Sequence, residues 1–213
     1  MKKILMLALL VTIAGSYGCK SKDANLTTSP ENTVPAENAA KDAQKGEENM
    51  EAIKIEEPKT VTIDVNKKYH AVIRTSKGDI TAELHAQDAP LSVTNFKYLA
   101  DKSFYNGQTF HRYVPGFVIQ GGDPTGTGAG GPGYTLPAEI GKKHLRGALA
   151  WARQGDEVNP ERRSSGSQFY ITLEETPFLD GGYTVFGQVT DGMSVVESLR
   201  ADDVITSVEV HQQ

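Results

Sequence analysis

Between positions 110 and 123 the chain reads FHRYVPGFVIQGGD, which sets one cation, Arg112, and one amide, Gln120, among aromatic and aliphatic side chains. Side chains alternate along a strand, so an extended reading puts Phe110, Arg112 and Val114 on one face and His111 and Tyr113 on the other. Pro115-Gly116 turns the chain, and Phe117 to Gln120 forms a second short strand that ends at Gly121-Gly122. A guanidinium beside apolar neighbours, with an amide close by, suits a shallow apolar pocket equipped with a fixed hydrogen-bond donor. The same residues also describe an arginine whose stem lies over surface aromatics while its head stays in water, which is the common fate of a strand arginine. His111, facing away from Arg112, reads as a hydrogen-bonded structural histidine and not as a base.

Other chemistries find little support. No G-x-S-x-G elbow occurs, and Ser167 falls in a strand pattern. The histidines His70, His85, His111, His144 and His211 form no i, i+4 pair and no His-x-x-Glu-His motif, so no zinc site is implied. The carboxylates are spread along loops with no acid pair and no calcium-loop pattern. Residues 126–131, GTGAGG, match G-x-G-x-x-G, but Pro132-Gly133 follows where a dinucleotide site needs a helix. No cofactor and no metal are expected.

The elements that must position Arg112 and Gln120 are mostly short strands. Ala71–Thr75 and Ile80–Leu84 flank a hairpin signal at 76–79. Asp88 is a candidate cap for a helix with Pro90 in its first turn and Val93, Phe96, Leu99 and Ala100 on its apolar side. Residues 121–133 form a Gly-rich loop. His144, Gly147 and 148–152 lead into another strand, 154–165 is a polar loop, and 166–173 alternates strictly, with Gln168, Tyr170 and Thr172 on one face. Strand pattern returns at 184–189, a second helix spans about 192–200 with Met193, Val196 and Leu199 on its buried side, and 204–210 closes the chain as a strand. Many short strands without a βαβ rhythm indicate an antiparallel sandwich or barrel.

The N-terminal part is different in kind. Lys2-Lys3 precedes an apolar run from Ile4 to Ala14, too short for the roughly 20 residues that span a bilayer. It fits the apolar core of a secretory signal. The segment ends Ser16-Tyr17-Gly18-Cys19, which resembles a bacterial lipoprotein signal, with Ser16 where that pattern usually has Leu. Residues 1–18 are thus expected to be a signal peptide and Cys19 the lipidated first residue; a plain signal would instead leave a free thiol. Residues 19–60 read as a flexible polar tether, since no aromatic residue occurs from Gly18 to Lys68. Val61–Val65 is either an added edge strand or the ordered end of that tether, and a folded domain occupies 61–213. The chain carries a net charge of −5, and the signal removes two lysines and no acids, so a nucleic-acid partner is not expected.

Three ordered blocks carry a family resemblance. The 110–123 stretch resembles the FHR-x-x-PGF-x-x-QGGD signature of the cyclophilins, which are peptidyl-prolyl cis-trans isomerases. Residues 166–171, GSQFYI, resemble that family's GSQFFI segment, and 178–187, FLDGGYTVFG, resemble its LDG-x-x-x-VFG segment. The resemblance implies a mainly β fold: a closed eight-stranded antiparallel barrel capped by two short α-helices. It implies Arg112 as the catalytic arginine and Gln120 as the residue that positions it and the substrate carbonyl. Phe117, Val118, Tyr170 and Leu179 match the proline pocket, with Ala152 at its edge. Gln168 matches the second groove glutamine, and Arg153 stands where the backbone commonly pairs with the substrate peptide. Three positions depart from the pattern. Tyr170 replaces a Phe and adds a hydroxyl at the rim, Tyr183 replaces a groove histidine, and Phe178 stands where cyclosporin-sensitive members have Trp, so weak cyclosporin binding is expected. The 154–165 loop is longer than in compact members and joins two strands that line the site, so it is expected to overhang the groove.

What these features imply is an isomerase of X-Pro bonds in exported or envelope proteins. It would be lipid-anchored to a bacterial envelope, facing periplasm or exterior, and monomeric. Lys20-Ser21 lack an Asp retention signal of the simple Gram-negative type, which leans toward the outer membrane. A non-catalytic proline-peptide-binding or chaperone module on the same barrel is the alternative, and a surface adhesion or signalling lipoprotein is a third reading, resting on the anchor and tether alone.

Overall fold

The computed structural model describes residues 55–213; the signal, Cys19 and the tether as far as residue 54 lie outside the described residues. Ten strands, two helices and one 3-10 turn follow in order. They are β1 (Tyr69–Thr75), β2 (Gly78–Leu84), α1 (Pro90–Asp101), β3 (Arg112–Val114), β4 (Val118–Gly121), β5 (Thr135–Leu136) and β6 (Ala148–Trp151). Then come β7 (Ser164–Ser165), β8 (Phe169–Thr172), the 3-10 turn Pro177–Leu179, β9 (Val185–Asp191), α2 (Met193–Ser198) and β10 (Ile205–Gln212). Eight strands form one antiparallel sheet in the order β10-β1-β2-β9-β6-β8-β4-β3, and β5 pairs separately with β7.

The sheet curls into a half-barrel around an apolar interior. Because side chains alternate, the inner face collects Ala71, Ile73, Ile80, Ala82, Ile119, Leu149, Trp151, Phe169, Ile171 and Phe186, all fully buried. Helix α1 lies against this core through Phe96, whose ring meets those of Tyr105, Trp151, Phe169 and Phe186 at centroid distances of 5.2 to 6.0 Å. The edge strands β10 and β3 do not pair with each other. Instead the segment before β3 meets the start of β10 through Gly107 N–H to Ile205 O, Ile205 N–H to Gln108 O and Phe110 N–H to Asp203 O.

One local expectation is corrected, and one open choice, at residues 61–65, is decided. The cap of α1 is not Asp88: Ala89 stands at the N-cap without a side-chain bond. The first-turn N–H groups of Leu91 and Ser92 donate instead to the Glu139 carboxylate, at 2.9 and 2.8 Å, while Asp88 pairs with Lys142. A carboxylate at this end also meets the positive pole of the helix, a benefit that a partner distant in sequence supplies as well as a neighbour. Residues 61–65 form no strand; the chain there runs along α1, with Thr62 N–H donating to Thr94 Oγ1 and Ile55 and Ile63 packed on the core.

Candidate active site

The site is laid out by strand register. Arg112 faces Gln120 across β3 and β4, Gln120 faces Tyr170 across β4 and β8, and Tyr170 faces Ala150 across β8 and β6. One row of the sheet's outer face is therefore Arg112–Gln120–Tyr170–Ala150. The neighbouring row, Tyr113–Ile119–Ile171–Leu149, points into the core. A slip of one residue in β4 would exchange the two rows, so burying Ile119 is what delivers Gln120 to the surface. The β3–β4 turn is set by Pro115 and by Gly116 at φ +67°, with Phe117 N–H donating to Val114 O, the arrangement of a type II turn.

Arg112 is exposed, and it enters no ion pair among the described residues. Its Nη1 donates to Gln120 Oε1 at 3.1 Å. Gln120 Nε2 donates to Gln168 Oε1 at 3.0 Å, and Gln168 Nε2 donates to the carbonyls of Gly128 and Gly130 at 3.0 and 2.8 Å. The chain of amides runs from the guanidinium to the Gly-rich loop and fixes which end of each glutamine faces which partner.

That loop is itself folded around Asp123, a carboxylate only 1% exposed. It accepts from Thr125 N–H and Oγ1 at 2.7 and 2.8 Å and from the N–H groups of Gly128 and Gly130 at 2.5 and 3.1 Å. Burial pushes the Asp123 carboxyl up, but these four donors outweigh it and hold the group at about 2. A Cβ on Gly130 would lie 2.1 Å from Asp123 Oδ1, so no side chain fits there. Carboxylate, loop and glutamine pair are one hydrogen-bonded unit ending at Arg112.

Beside the polar row lies an apolar patch separate from the main core. Val118, Ala148, Ala150, Tyr170 and Val185 are buried in it, and Phe117, Ala152, Leu179 and Tyr183 line its edge. Phe178, 75% exposed, stacks on Phe117 with centroids 5.6 Å apart and planes 26° from parallel. Tyr183 is held between the edge of Tyr170 and the guanidinium of Arg153, which lies 4.5 Å from its ring centre. No hydrogen bond to the backbone N–H or C=O of Arg153 forms among the described residues, whereas Ala152 is used on both sides, by Gln168 O and Ser165 N–H.

A cavity of about 810 Å³ adjoins this patch on the side of Gln120, Gln168 and the Gly-rich loop. Gln154, Val158, Asn159 and Arg163 of the long loop form one of its walls, so the loop does stand over the groove. The loop is clamped: the Arg153 side chain, 6% exposed, bonds Gly182 O and Asp156, and Arg162 bonds Gly181 O and Asp156. Asp156 serves both arginines, and the guanidinium of Arg153 holds its carboxyl below the usual range.

The structure thus brings the named groove residues to one face, from Arg112 and Gln120 to Leu179 and Tyr183, while Cys19 lies outside the described residues; three details are corrected. Phe110 points into the core and not to the side of Arg112, because regular strand geometry begins only at Arg112. Neither ring nitrogen of His111 has a hydrogen-bond partner among the described residues, and burial lowers its basicity. The Tyr170 hydroxyl is not at the rim: it points inward, 3.0 Å from His144 Nε2. His144 and Asp123 were not picked out from sequence as parts of the site. The one signal for His144 was Tyr170 itself, since a buried phenol needs a partner.

A sequence model of the cyclophilin type peptidyl-prolyl cis-trans isomerase/CLD family matches residues 70–213. A peptidyl-prolyl cis-trans isomerase of Helicobacter pylori is 44% identical over 150 residues, covering 68% of this chain and 88% of that protein. One from Synechococcus elongatus is 48% identical over 143 residues, covering 66% and 94%. Among solved structures, a Cryptosporidium parvum cyclophilin type peptidyl-prolyl cis-trans isomerase superposes with a TM-score of 0.63 at 32% identity, covering 68% of this chain and 99% of that one. A second structure of it, in the presence of the dipeptide Ala-Pro, gives a TM-score of 0.62. The chain belongs to the cyclophilin-type peptidyl-prolyl cis-trans isomerase family.

Proposed function

We propose that the protein accelerates rotation about X-Pro bonds in exported or envelope proteins, with Arg112 as the catalytic group and the Phe117–Tyr170–Leu179 patch as the proline pocket. The observation that carries this is the guanidinium of Arg112, in no ion pair among the described residues and held by Gln120 at the border of an apolar patch. The barrier to be lowered is amide resonance, ~18–20 kcal/mol, and no bond is broken. A donor aimed at the prolyl nitrogen gains a lone pair only when the amide is twisted, so it binds the transition state better than either ground state. Bringing about 100 s down to a millisecond needs a factor of about 10⁵, or roughly 7 kcal/mol. One charge-assisted hydrogen bond contributes about 1.5–3 kcal/mol. The remainder falls to positioning: Phe117, Val118, Leu179 and Tyr183, with Ala152 at the edge, grip the ring, Phe178 extends the rim, Gln120 and Gln168 hold the donor and the carbonyl, and the free backbone of Arg153 pairs with the peptide.

Our reading also takes Cys19 to be lipidated after removal of residues 1–18, with 19–60 as a tether that leaves the domain facing periplasm or exterior. What supports it is the short apolar run, the Gly18-Cys19 junction and the polar composition of the tether. On the fold, we take the sheet to close as a barrel, supported by the hydrogen bonds between 107–110 and 202–205. Exchange measurements on short X-Pro peptides test the activity. Fractionation of cells carrying Cys19→Ser tests the anchor: the variant should move to the soluble fraction, and wild type purified from membranes without lipid would refute it.

A further inference from the structure

We propose that His144 is a positioning residue for the proline pocket, tying its floor, Tyr170, to the turn that carries its wall, Phe178 and Leu179. The inference rests on the reading of this patch as the proline pocket. The Pro177–Leu179 turn has no buried residue and packs only at the rim, Phe178 on Phe117 and Leu179 against the edge of the apolar patch. Beside the Phe178–Phe117 stack and the arginine bonds to Gly181 and Gly182, hydrogen bonds from both ends of the turn meet at His144, which is 1% exposed. Thr176 N–H donates to His144 O at 2.9 Å as the chain enters the turn, and on its exit the Asp180 carboxylate accepts from His144 N–H at 2.8 Å and from ring Nδ1 at 2.9 Å.

The ring completes the link. A carboxylate only accepts, so Nδ1 carries a proton toward Asp180, and in the neutral ring Nε2 accepts from the Tyr170 hydroxyl. The partners suit these roles: the ring and backbone N–H groups of His144 hold the Asp180 carboxyl below its usual range, and burial pushes the Tyr170 phenol far above its own. The imidazole lies nearly parallel to the Tyr170 ring, 13° between planes, and meets the Tyr183 ring edge-on at 6.3 Å. Floor, wall and side of the pocket therefore share one buried imidazole. Among the described residues no hydrogen bond or ring contact joins His144 to Arg112 or Gln120, so its removal should loosen the grip on proline and leave the chemical step alone.

The test uses the full chain and an Ala-Pro peptide, with Kd from NMR titration and KM and kcat from exchange spectroscopy, at a temperature where thermal melts show every variant folded. His144→Ala should raise Kd and KM about ten-fold with kcat within about two-fold. His144→Asn, whose amide can still donate to Asp180, should recover most of that loss, and should bind within about three-fold of wild type even if the Ala variant fails to fold. Unchanged Kd in His144→Ala, or Asn that binds no better than Ala, would overturn the proposal. If wild type binds the peptide without accelerating exchange, the isomerase reading fails by itself and the Kd comparison still decides the role of His144.

Discussion

Arg112 and Gln120 stand directly opposite each other across β3 and β4, and the Arg112 Nη1 to Gln120 Oε1 bond of 3.1 Å is the guanidinium's only side-chain tie among the described residues. The pair is held from behind by Gln168 and the Gly-rich loop, so the donor direction is set by amides, with no carboxylate paired to the guanidinium among the described residues. Gln120→Leu removes the tie without changing the strand. It should lower kcat/KM about ten-fold, equivalent to roughly 1.4 kcal/mol, while the melting temperature stays close to wild type. Equal activity in the variant, measured by peptide exchange, would show that Arg112 orients itself.

Asp123 makes acid stability a readout of the loop. Its folded-state value of about 2 lies below the ordinary carboxylate value of 3.8, so its contribution is present above pH 4 and is lost as pH falls through 2. That contribution amounts to about 2 kcal/mol. Urea midpoints measured between pH 6 and 2 should fall more steeply for wild type than for Asp123→Asn below pH 4. Asp123→Asn should also lower activity at neutral pH, because Gly128 and Gly130 hold Gln168.

The 154–165 loop presents Val158, 73% exposed, over the cavity next to Gln120 and Gln168, and Arg153 and Arg162 clamp it to Gly181 and Gly182. Replacing 155–162 by a short turn should change the relative kcat/KM for peptides differing around the X-Pro pair by about three-fold or more, with little effect on stability. Identical preferences before and after shortening would mean that the loop leaves the substrate untouched.

Phe178 is already stacked on Phe117 and offers no polar edge. Cyclosporin should therefore bind weakly. Phe178→Trp adds apolar area and an N–H donor at the same rim and should tighten cyclosporin binding about ten-fold or more, read by titration calorimetry. Tight binding by the unaltered protein would contradict this account of the rim.

Much of this was legible because strand alternation and residue type agree. Alternation sends Gln168 and Tyr170 one way and Phe169 and Ile171 the other, and the 166–171 and 178–187 blocks add the pocket around Arg112. What stayed hidden depends on contacts distant in sequence. Glu139 caps α1 from nearly fifty positions downstream, which no local cap rule can find, and Asp88 looked right only because it was near. His144 was weighed as a zinc ligand and set aside; its part in the pocket exists only once β8 and the 177–179 turn are folded against it. Phe110 was misplaced because alternation was extended past the end of a three-residue strand. The curl of the sheet into a half-barrel was likewise beyond periodicity, which states which way side chains point and not how the edges lie.

The most direct test of the central claim is cis–trans exchange of a short Ala-Pro peptide, followed by NMR with wild type and with Arg112→Ala. Wild type should accelerate exchange. Arg112→Ala should lower kcat/KM about 100-fold, the loss of one donor made in the twisted state, while peptide Kd changes by less than about three-fold. Exchange that is as fast in Arg112→Ala, or wild type that binds the peptide without speeding its rotation, would contradict the account.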